Sequence, residues 1–533
     1  MDKRFDIVVV GGGSAGCAVA ARLAEAGLGS VCLIEAGERS YSPFVHVPVG
    51  YYRTMSDHKI NWGFETVPQT NLGGRKITCP RGKVLGGSSA LNGLVYIRGQ
   101  HQDYDEWANR GNPGWSWNHV LPYFKRSEDQ SRGASHFHGV GGPLGVSDPD
   151  FQNLGCDAFI AAAQNCQIPI NSDFNGAYQG GVGTYQLTTK DGLRSVTSRF
   201  LATDGSLGKV HICSGAMVDR LAFDGSRAEV VYLKRRGRIE VIRANRAIVL
   251  CAGAIGSPAI LQRSGVGPKA LLQELGIQPV LVKEAVGKNL QDHFQARAVF
   301  KCHDSASLNV ISKRISWRLA VGLSFLFRRS GPLTIGAGFV GLFANSSSEI
   351  SRPDIQFHVM PFSVDRPGRP FHDFSGFTVS VCELRPRSRG DVKIVSTLPD
   401  VSPSIDPRYF SEPEDGWAIA RGIELARTIT RTEPLGSLVT EEHEPGVAVA
   451  DLEGLRQYAA NRGSTIFHPC GTCRMGPDDE AVVDEKLKVR ALDNLWIADA
   501  SIMPSIISGN TNAAAIMIGE RGADFIRNNL KGS

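Results

Sequence analysis

The spacing of apolar residues changes period several times along this chain, and each change marks an element. Asp6-Ile7-Val8-Val9-Val10 is a continuous β-branched run, the pattern of a strand buried on both faces in a parallel sheet. Gly11-Gly12-Gly13-Ser14-Ala15-Gly16 interrupts it, and Cys17-Ala18-Val19-Ala20-Ala21-Arg22-Leu23-Ala24 then predicts a helix. A second apolar run, Val31-Cys32-Leu33-Ile34, ends at Glu35. Ala247 to Ala254 predicts a later buried strand ending in glycine, and Gly253 to Gly267 follows it as turn, helix and turn. Between about 298 and 462, alternating segments such as Asp391-Val392-Lys393-Ile394-Val395 suit an antiparallel sheet with one exposed face. Segment 311–329 sets Lys313, Arg314, Arg318, Arg328 and Arg329 around Ile311, Ile315, Trp317, Leu319, Leu323, Phe325, Leu326 and Phe327. That predicts a basic helix with one greasy side, either packed with its arginines solvated or lying on anionic lipid.

Length and composition widen this picture. A chain of 533 residues with 42% apolar positions fills several cores, so two domains is the default, and the first hundred residues read as α/β. A net charge of +5, with basic residues scattered and no run of five or six, argues against nucleic acid as a partner. Met1-Asp2-Lys3-Arg4 leads straight into the first strand and glycine turn, so the start is structural rather than a signal peptide. No window approaches eighteen uninterrupted apolar residues, so no transmembrane helix is expected. The eleven cysteines are odd in number, widely spaced and set in apolar runs, which suits buried thiols in a reducing compartment, the cytoplasm.

The strand, glycine turn and helix make a dinucleotide fingerprint. Gly11 permits the tight turn, Gly13 lets the backbone approach a pyrophosphate, Gly16 lets helix and strand close up, and the helix N-terminus offers N–H groups to the anion. Glu35 stands where an acid meets adenosine ribose hydroxyls. The motif leaves the dinucleotide open. Pro80 to Gly93 is a second glycine-serine loop, which alone is an anion nest, part of a cofactor wrap or a simple turn.

Eight segments in order carry a family resemblance. They are the glycine fingerprint, Gly82 to Gly99, Gly253 to Gly267, Val286-Gly287-Lys288-Asn289-Leu290-Gln291-Asp292-His293, Ser388-Arg389-Gly390, Ile405-Asp406-Pro407, the motif Ser464 to Gly476 around His468, and Ala498-Asp499-Ala500-Ser501 leading to Gly509-Asn510-Thr511-Asn512. Together they resemble the glucose-methanol-choline (GMC) oxidoreductases, a family of FAD-dependent alcohol oxidases and dehydrogenases. Asn61 to Thr66 and Gly99 to Trp107 are similar to its bacterial choline, aliphatic-alcohol and polyethylene-glycol dehydrogenases. The resemblance implies an α/β protein with a Rossmann-like FAD-binding domain and an inserted α+β substrate domain on an antiparallel sheet. Its implied pieces are 1–155 and 190–297 for the FAD-binding domain, 156–189 and 298–462 for the substrate domain, and 463–533 as a catalytic and FAD-binding segment. The sheet would form one cavity wall, with the flavin on the other side.

The same resemblance implies how FAD is held. Gly11, Gly13, Ser14, Ala15 and Gly16 meet the pyrophosphate, and Glu35 with Ala36 the adenosine ribose. Val84, Gly87, Ser88, Asn92, Gly93, Leu94 and Val95 line the flavin and ribityl chain, Val218 meets the adenine, and Asp499 with Ala500 closes over the pyrophosphate and ribityl region. Some members attach FAD through a histidine at the position of Leu91; an aliphatic side chain forms no such bond, so noncovalent FAD is expected.

Turning a primary alcohol into an aldehyde removes a proton from oxygen and a hydride from carbon, and flavin N5 takes only the hydride. His468 is the candidate base, because an imidazole titrates near working pH. Asn512, 44 residues later, stands where the family places its second catalytic group; an amide bonds the substrate oxygen but takes up no proton, leaving His468 the acid-base work. Cys470 and Cys473 form a C-x-x-C, yet no second ligand pair supports a metal, and their place inside the histidine motif argues against a redox dithiol. His101 and His293 are read as structural. Phe339, Phe343, Phe357, Val359, Met360 and Phe362 either line the substrate cavity or fill the core. The expected partners are an alcohol and an electron acceptor, namely a quinone, a dye-like acceptor or oxygen. Dehydrogenase chemistry is favoured, with an oxidase or a hydroxynitrile lyase as alternatives. Choline would need a carboxylate or aromatic cage, which the sequence does not place, so neutral alcohols are at least as well suited.

Overall fold

The computed structural model describes residues 2–202, 209–365 and 369–532. The β-branched run forms the strand Asp2–Val10, parallel to Val31–Ile34 on one side and to the thirteen-residue strand Arg238–Leu250 on the other. Val210–Cys213 extends the sheet beyond Val31–Ile34. The long strand divides its far edge: Arg238–Arg243 pair with the antiparallel hairpin Ala216–Asp224 and Arg227–Arg235, and Ile248–Leu250 pair with Leu495–Ile497. Val10, Ile34, Leu250 and Ile497 are therefore in register and finish at one end of the sheet. Ligands of parallel sheets sit at that end.

Helix Ser14–Glu25 covers this sheet and is itself covered by Asn512–Gly532. Their close approach depends on Gly519, where a Cβ would lie 2.5 Å from the Ala15 carbonyl oxygen.

A second sheet is antiparallel throughout, in the order Val439–Glu444, Phe294–Cys302, Gly376–Glu383, Ile355–Met360, Val340–Ala344 and Gly181–Thr184, with Ser464–Thr465 also paired to Phe294–Cys302. Its back packs against the helices Pro413–Arg431 and Leu452–Arg462, with Leu154–Asn165 behind the first of these. The expected exposed face is absent: all eight residues of Gly376–Glu383 and all six of Ile355–Met360 are buried. Alternation survives for another reason. Phe377, Val379 and Val381 enter the core behind the sheet, whereas Thr378 and Ser380 line an internal cavity in front of it. Nor does the alternating segment 391–395 join this sheet; Gly390–Lys393 pairs with Lys288–Leu290 and Ser404–Asp406 in a small sheet of its own.

Segment 311–329 is a surface helix, Ile315–Arg328, preceded by a short turn at Ile311–Lys313. Phe325 is buried and Trp317 partly so, but the i, i+4 stripe Ile315, Leu319, Leu323 and Phe327 faces outward at 74%, 63%, 55% and 77% exposure. Its greasy side is not packed.

Candidate active site

The two sheets enclose a cavity of about 510 Å³. From the parallel sheet come the residues just past the aligned strand ends: Gly11, Gly13, Ser14 and Ala15, then Glu35 and Ala36, then Cys251 to Ile255, and Asp499 with Ala500. Gly11 has φ +104, and a Cβ there would lie 2.5 Å from the Cys251 carbonyl oxygen. Gly16 faces inward, where a Cβ would fall 1.9 Å from the Gly11 carbonyl oxygen, so it serves helix packing and does not line the cavity. The first helix has no capping side chain and no acid in its first turn, leaving its N-terminal N–H groups for an anion.

Glu35 accepts the N–H of Gly12 and of Gly37, each at 2.8 Å, and burial pushes its carboxyl up to about 7. Asp499 ties the last segment in by accepting the Gly253 N–H at 2.8 Å, the Ser257 hydroxyl at 2.6 Å and the Ser501 N–H at 2.8 Å. Gly87 meets the glycine turn directly: at φ +54, its Cβ would stand 2.6 Å from the Gly13 Cα. Gly87, Ser88, Asn92, Gly93, Leu94, Val95 and Val218 all reach the cavity. Val84 does not; it packs behind that wall with Val45, Ile60, Ala90 and Val196, and against Leu91, which does line the cavity.

His468 sits on the opposite wall, buried, and two neighbouring residues hold it. Asp292 accepts the His468 backbone N–H at 2.7 Å, the Thr465 hydroxyl at 2.5 Å and the Tyr409 hydroxyl at 2.6 Å, which fixes the turn around Phe467 at φ +71. His293 holds the ring, with its Nδ1 2.9 Å from the His468 Nδ1 and its Nε2 3.0 Å from the Leu384 carbonyl oxygen.

These contacts determine the tautomers. A carbonyl only accepts, so the His293 Nε2 carries hydrogen; burial pushes the His293 pKa down to about 4, so the ring is neutral and its Nδ1 is a bare acceptor. The His468 Nδ1 must then donate, which leaves the His468 Nε2 unprotonated and an acceptor. Burial above all, with the Arg81 guanidinium adding to it, pushes the His468 pKa well below 6.5. The ring is therefore held neutral.

The amide beside that lone pair is Asn510, whose Nδ2 lies 3.3 Å from the His468 Nε2. Gln356 donates to the Asn510 Oδ1 at 3.1 Å and fixes this orientation. Asn512 lies one helical step away on the cavity wall, where its Oδ1 accepts the Ser14 hydroxyl at 2.7 Å and its buried Nδ2 has no protein partner. The sequence reading gave Asn510 no role, its signal being position inside Gly509-Asn510-Thr511-Asn512; it read His293 as structural, and the ring contact shows that what His293 holds is His468. Of the aromatic and aliphatic candidates, Met360 and Phe362 line the cavity, whereas Phe339, Phe343, Phe357 and Val359 are core residues off its wall. His101 stacks on Trp117 at 3.9 Å and bonds the Gly176 carbonyl oxygen, far from any chemistry.

Cys470 and Cys473 are fully buried, unbridged and held protonated by desolvation, so nothing supports a redox dithiol. No group of three or more metal-ligating side chains occurs among the described residues.

The chain is similar along nearly its whole length to known proteins. The family models for GMC oxidoreductase match residues 5–295 and 386–519, and the chain belongs to that family of oxidoreductases. It is 39% identical over 526 residues, 98% of this chain and 95% of the relative, to an alcohol dehydrogenase [acceptor] of Pseudomonas putida. It is 36% identical to an oxygen-dependent choline dehydrogenase of Vibrio vulnificus, covering 99% of this chain and 95% of the relative. Among solved structures, pyridoxine 4-oxidase from Mesorbium loti superposes with a TM-score of 0.88 at 31% identity, over 97% of this chain and 98% of that one.

Proposed function

We propose that this protein oxidises a primary alcohol to an aldehyde using noncovalently bound FAD, and that it works as a dehydrogenase. The observation that carries the reading is the unprotonated His468 Nε2, its tautomer set by His293 and its acceptor side met by the Asn510 amide, in the wall of the cavity that also holds the glycine turn. The cradle suits a dinucleotide: Gly13 faces open space, where an added Cβ would meet nothing nearer than the Gly87 Cα at 4.0 Å, and the orphaned Asn512 Nδ2 is a buried donor awaiting an acceptor. Gly11, Gly13, Ser14 and Ala15 would hold the pyrophosphate, Glu35 and Val218 the adenosine, and Ser88 to Val95 the flavin side. When bound, FAD supplies the acceptor for the hydride. His468 takes the hydroxyl proton at Nε2, Asn510 bonds the substrate oxygen, and the His293 contact steadies the imidazolium as it forms. Because the His468 pKa lies well below 6.5, the reductive rate should not fall as pH drops through 6.5.

Anaerobic mixing with a panel of alcohols, followed by flavin bleaching, tests the reaction. Bleaching that persists unchanged in His468→Ala overturns the base, and cyanide release from a cyanohydrin with unbleached flavin would favour a lyase. Similarity to the alcohol dehydrogenase [acceptor] supports that class over an oxidase; faster reoxidation by a quinone or dye than by air is the expected outcome. Leu91, aliphatic and on the cavity wall, supports dissociable FAD. Flavin that stays with acid-precipitated protein would refute it.

The exposed stripe of helix Ile315–Arg328, flanked by Arg314, Arg318 and Arg328, supports docking on an anionic membrane surface, where a quinone acceptor would be at hand. No helix among the described residues is long and apolar enough to cross a membrane. Eleven unpaired cysteines support the cytoplasmic face. Sedimentation with phosphatidylglycerol vesicles that is lost in Leu323→Glu is expected; equal sedimentation of both proteins would dismiss the helix.

A further inference from the structure

The front of the antiparallel sheet carries a cation with no counter-ion among the described residues. In strand Phe294–Cys302, Gln295 and Arg297 point to the cavity side; Arg297 stands opposite Ser380 in the neighbouring strand, and Ser380 stands opposite His358 in the next. Gln295 in turn is opposite Ser464, four residues before His468. The Arg297 guanidinium, the Gln295 amide and the Ser380 hydroxyl make no hydrogen bond to any described residue, although Gln295 and Ser380 are at least nine-tenths buried. By contrast, the adjacent Thr378 hydroxyl is spent on the Phe362 carbonyl oxygen at 2.9 Å.

Carboxylates near the cavity are engaged elsewhere. Among the described lining residues only Glu35, Asp400 and Asp499 are acidic: Glu35 and Asp499 belong to the parallel-sheet wall, and Asp400 pairs with Lys234 at 3.1 Å. Arg297 lies within electrostatic reach of the Tyr51 and Tyr52 phenols, which burial keeps neutral. A quaternary ammonium placed on this wall would face a guanidinium and no carboxylate.

We propose that this wall is an anion subsite, so that the preferred substrate is an alcohol carrying a carboxylate at its far end, bound by Arg297 with Ser380 and Gln295 beside it. The proposal rests on the alcohol-oxidising reading above. His358 stands two strands from Arg297, on the order of 10 Å, and bonds Asn510, the amide beside the His468 Nε2, so the anion lies about the length of a short chain from the reacting hydroxyl. An arginine fork with a flanking hydroxyl is the donor set a carboxylate prefers. The subsite binds and positions; it performs no chemistry.

The test uses the FAD-loaded enzyme with a chain-length series of ω-hydroxycarboxylates, their methyl esters, and choline. At the best length kcat/KM for the acid should exceed that for its ester by at least about tenfold, the worth of one charged hydrogen-bonded contact. The ratio should collapse towards one in Arg297→Met, chiefly through KM, and largely survive in Arg297→Lys. An ester or choline used as well as the acid, or a ratio unchanged in Arg297→Met, overturns the proposal. If no alcohol bleaches the flavin, the alcohol-oxidising reading fails, and binding of an unreactive alkanoate, read from flavin absorbance, decides the subsite by itself. Saturable binding lost in Arg297→Met upholds it; no binding, or binding that Arg297→Met leaves intact, refutes it.

Discussion

The wall built by the parallel sheet presents mostly backbone, whereas the wall built by the antiparallel sheet presents side chains that hold one another. On the first, Gly11, Gly13 and Gly87 matter because they lack a Cβ, and the groups offered to a ligand are N–H groups at a helix start. On the second, His468 is useful because His293 holds its ring and Asp292 its backbone. A backbone site is binary, since an added methyl either fits or displaces the chain. A side-chain relay is graded, since each contact removed leaves the others in place.

That contrast orders the expected effects. His468→Ala should keep FAD while slowing anaerobic flavin reduction by about 10² to 10⁴, the usual contribution of a positioned base; loss of FAD together with rate would mean that the two walls are not separable. Gly11→Ala should do the reverse, costing about 1–3 kcal/mol of stability and most of the bound flavin, because its methyl meets the Cys251 carbonyl oxygen at 2.5 Å with φ at +104. Full flavin occupancy in that variant would show that the backbone wall yields more than its geometry suggests. His293→Ala should cost on the order of tenfold to a hundredfold in reduction, with Nδ1 no longer held and the tautomers mixed, and should add a pH dependence near 6.5 that the parent lacks.

Smaller still is the effect of acid on stability. His293 and His358 are pushed down to about 4 by burial, from 6.5 in the unfolded chain. Folded histidines below their unfolded pKa contribute stability that is complete above pH 6.5 and lost as pH falls from there towards 4, because only the unfolded chain takes up the protons. A urea midpoint that declines across this window, on the order of 1–3 kcal/mol per histidine, is expected; a flat one would mean that the relay is solvated. Least of all, Cys470→Ala should leave the reductive rate close to that of the parent, since its thiol touches no reacting group.

The two walls also differed in how much of them could be read before folding. The glycine fingerprint, Glu35 and the strand before Gly253 were legible because a parallel strand and its turn are contiguous in sequence, and the residues that matter are of a type chosen for backbone reasons. The His468 segment was legible only as a motif. Its tautomer was not, since that depends on Leu384, His293 and Asn510, which meet through strand register. Thr378 and Ser380 were missed for a related reason: polar alternation predicts a face in water, and here the water is a cavity inside the protein. The greasy side of helix Ile315–Arg328 was legible from its period, whereas its direction stayed open between packing and a lipid surface, because periodicity gives a face and not its neighbour.

The bond from the Ser14 hydroxyl to the Asn512 Oδ1 spans 498 residues. During synthesis the glycine turn leaves the ribosome early and waits for nearly the whole chain before Asp499, Asn512 and the Gly519 crossing arrive to close around it. A chain that stopped before residue 499 would lack Asp499, Asn512 and the Gly519 crossing, and with them the contacts that close the cradle from its far side.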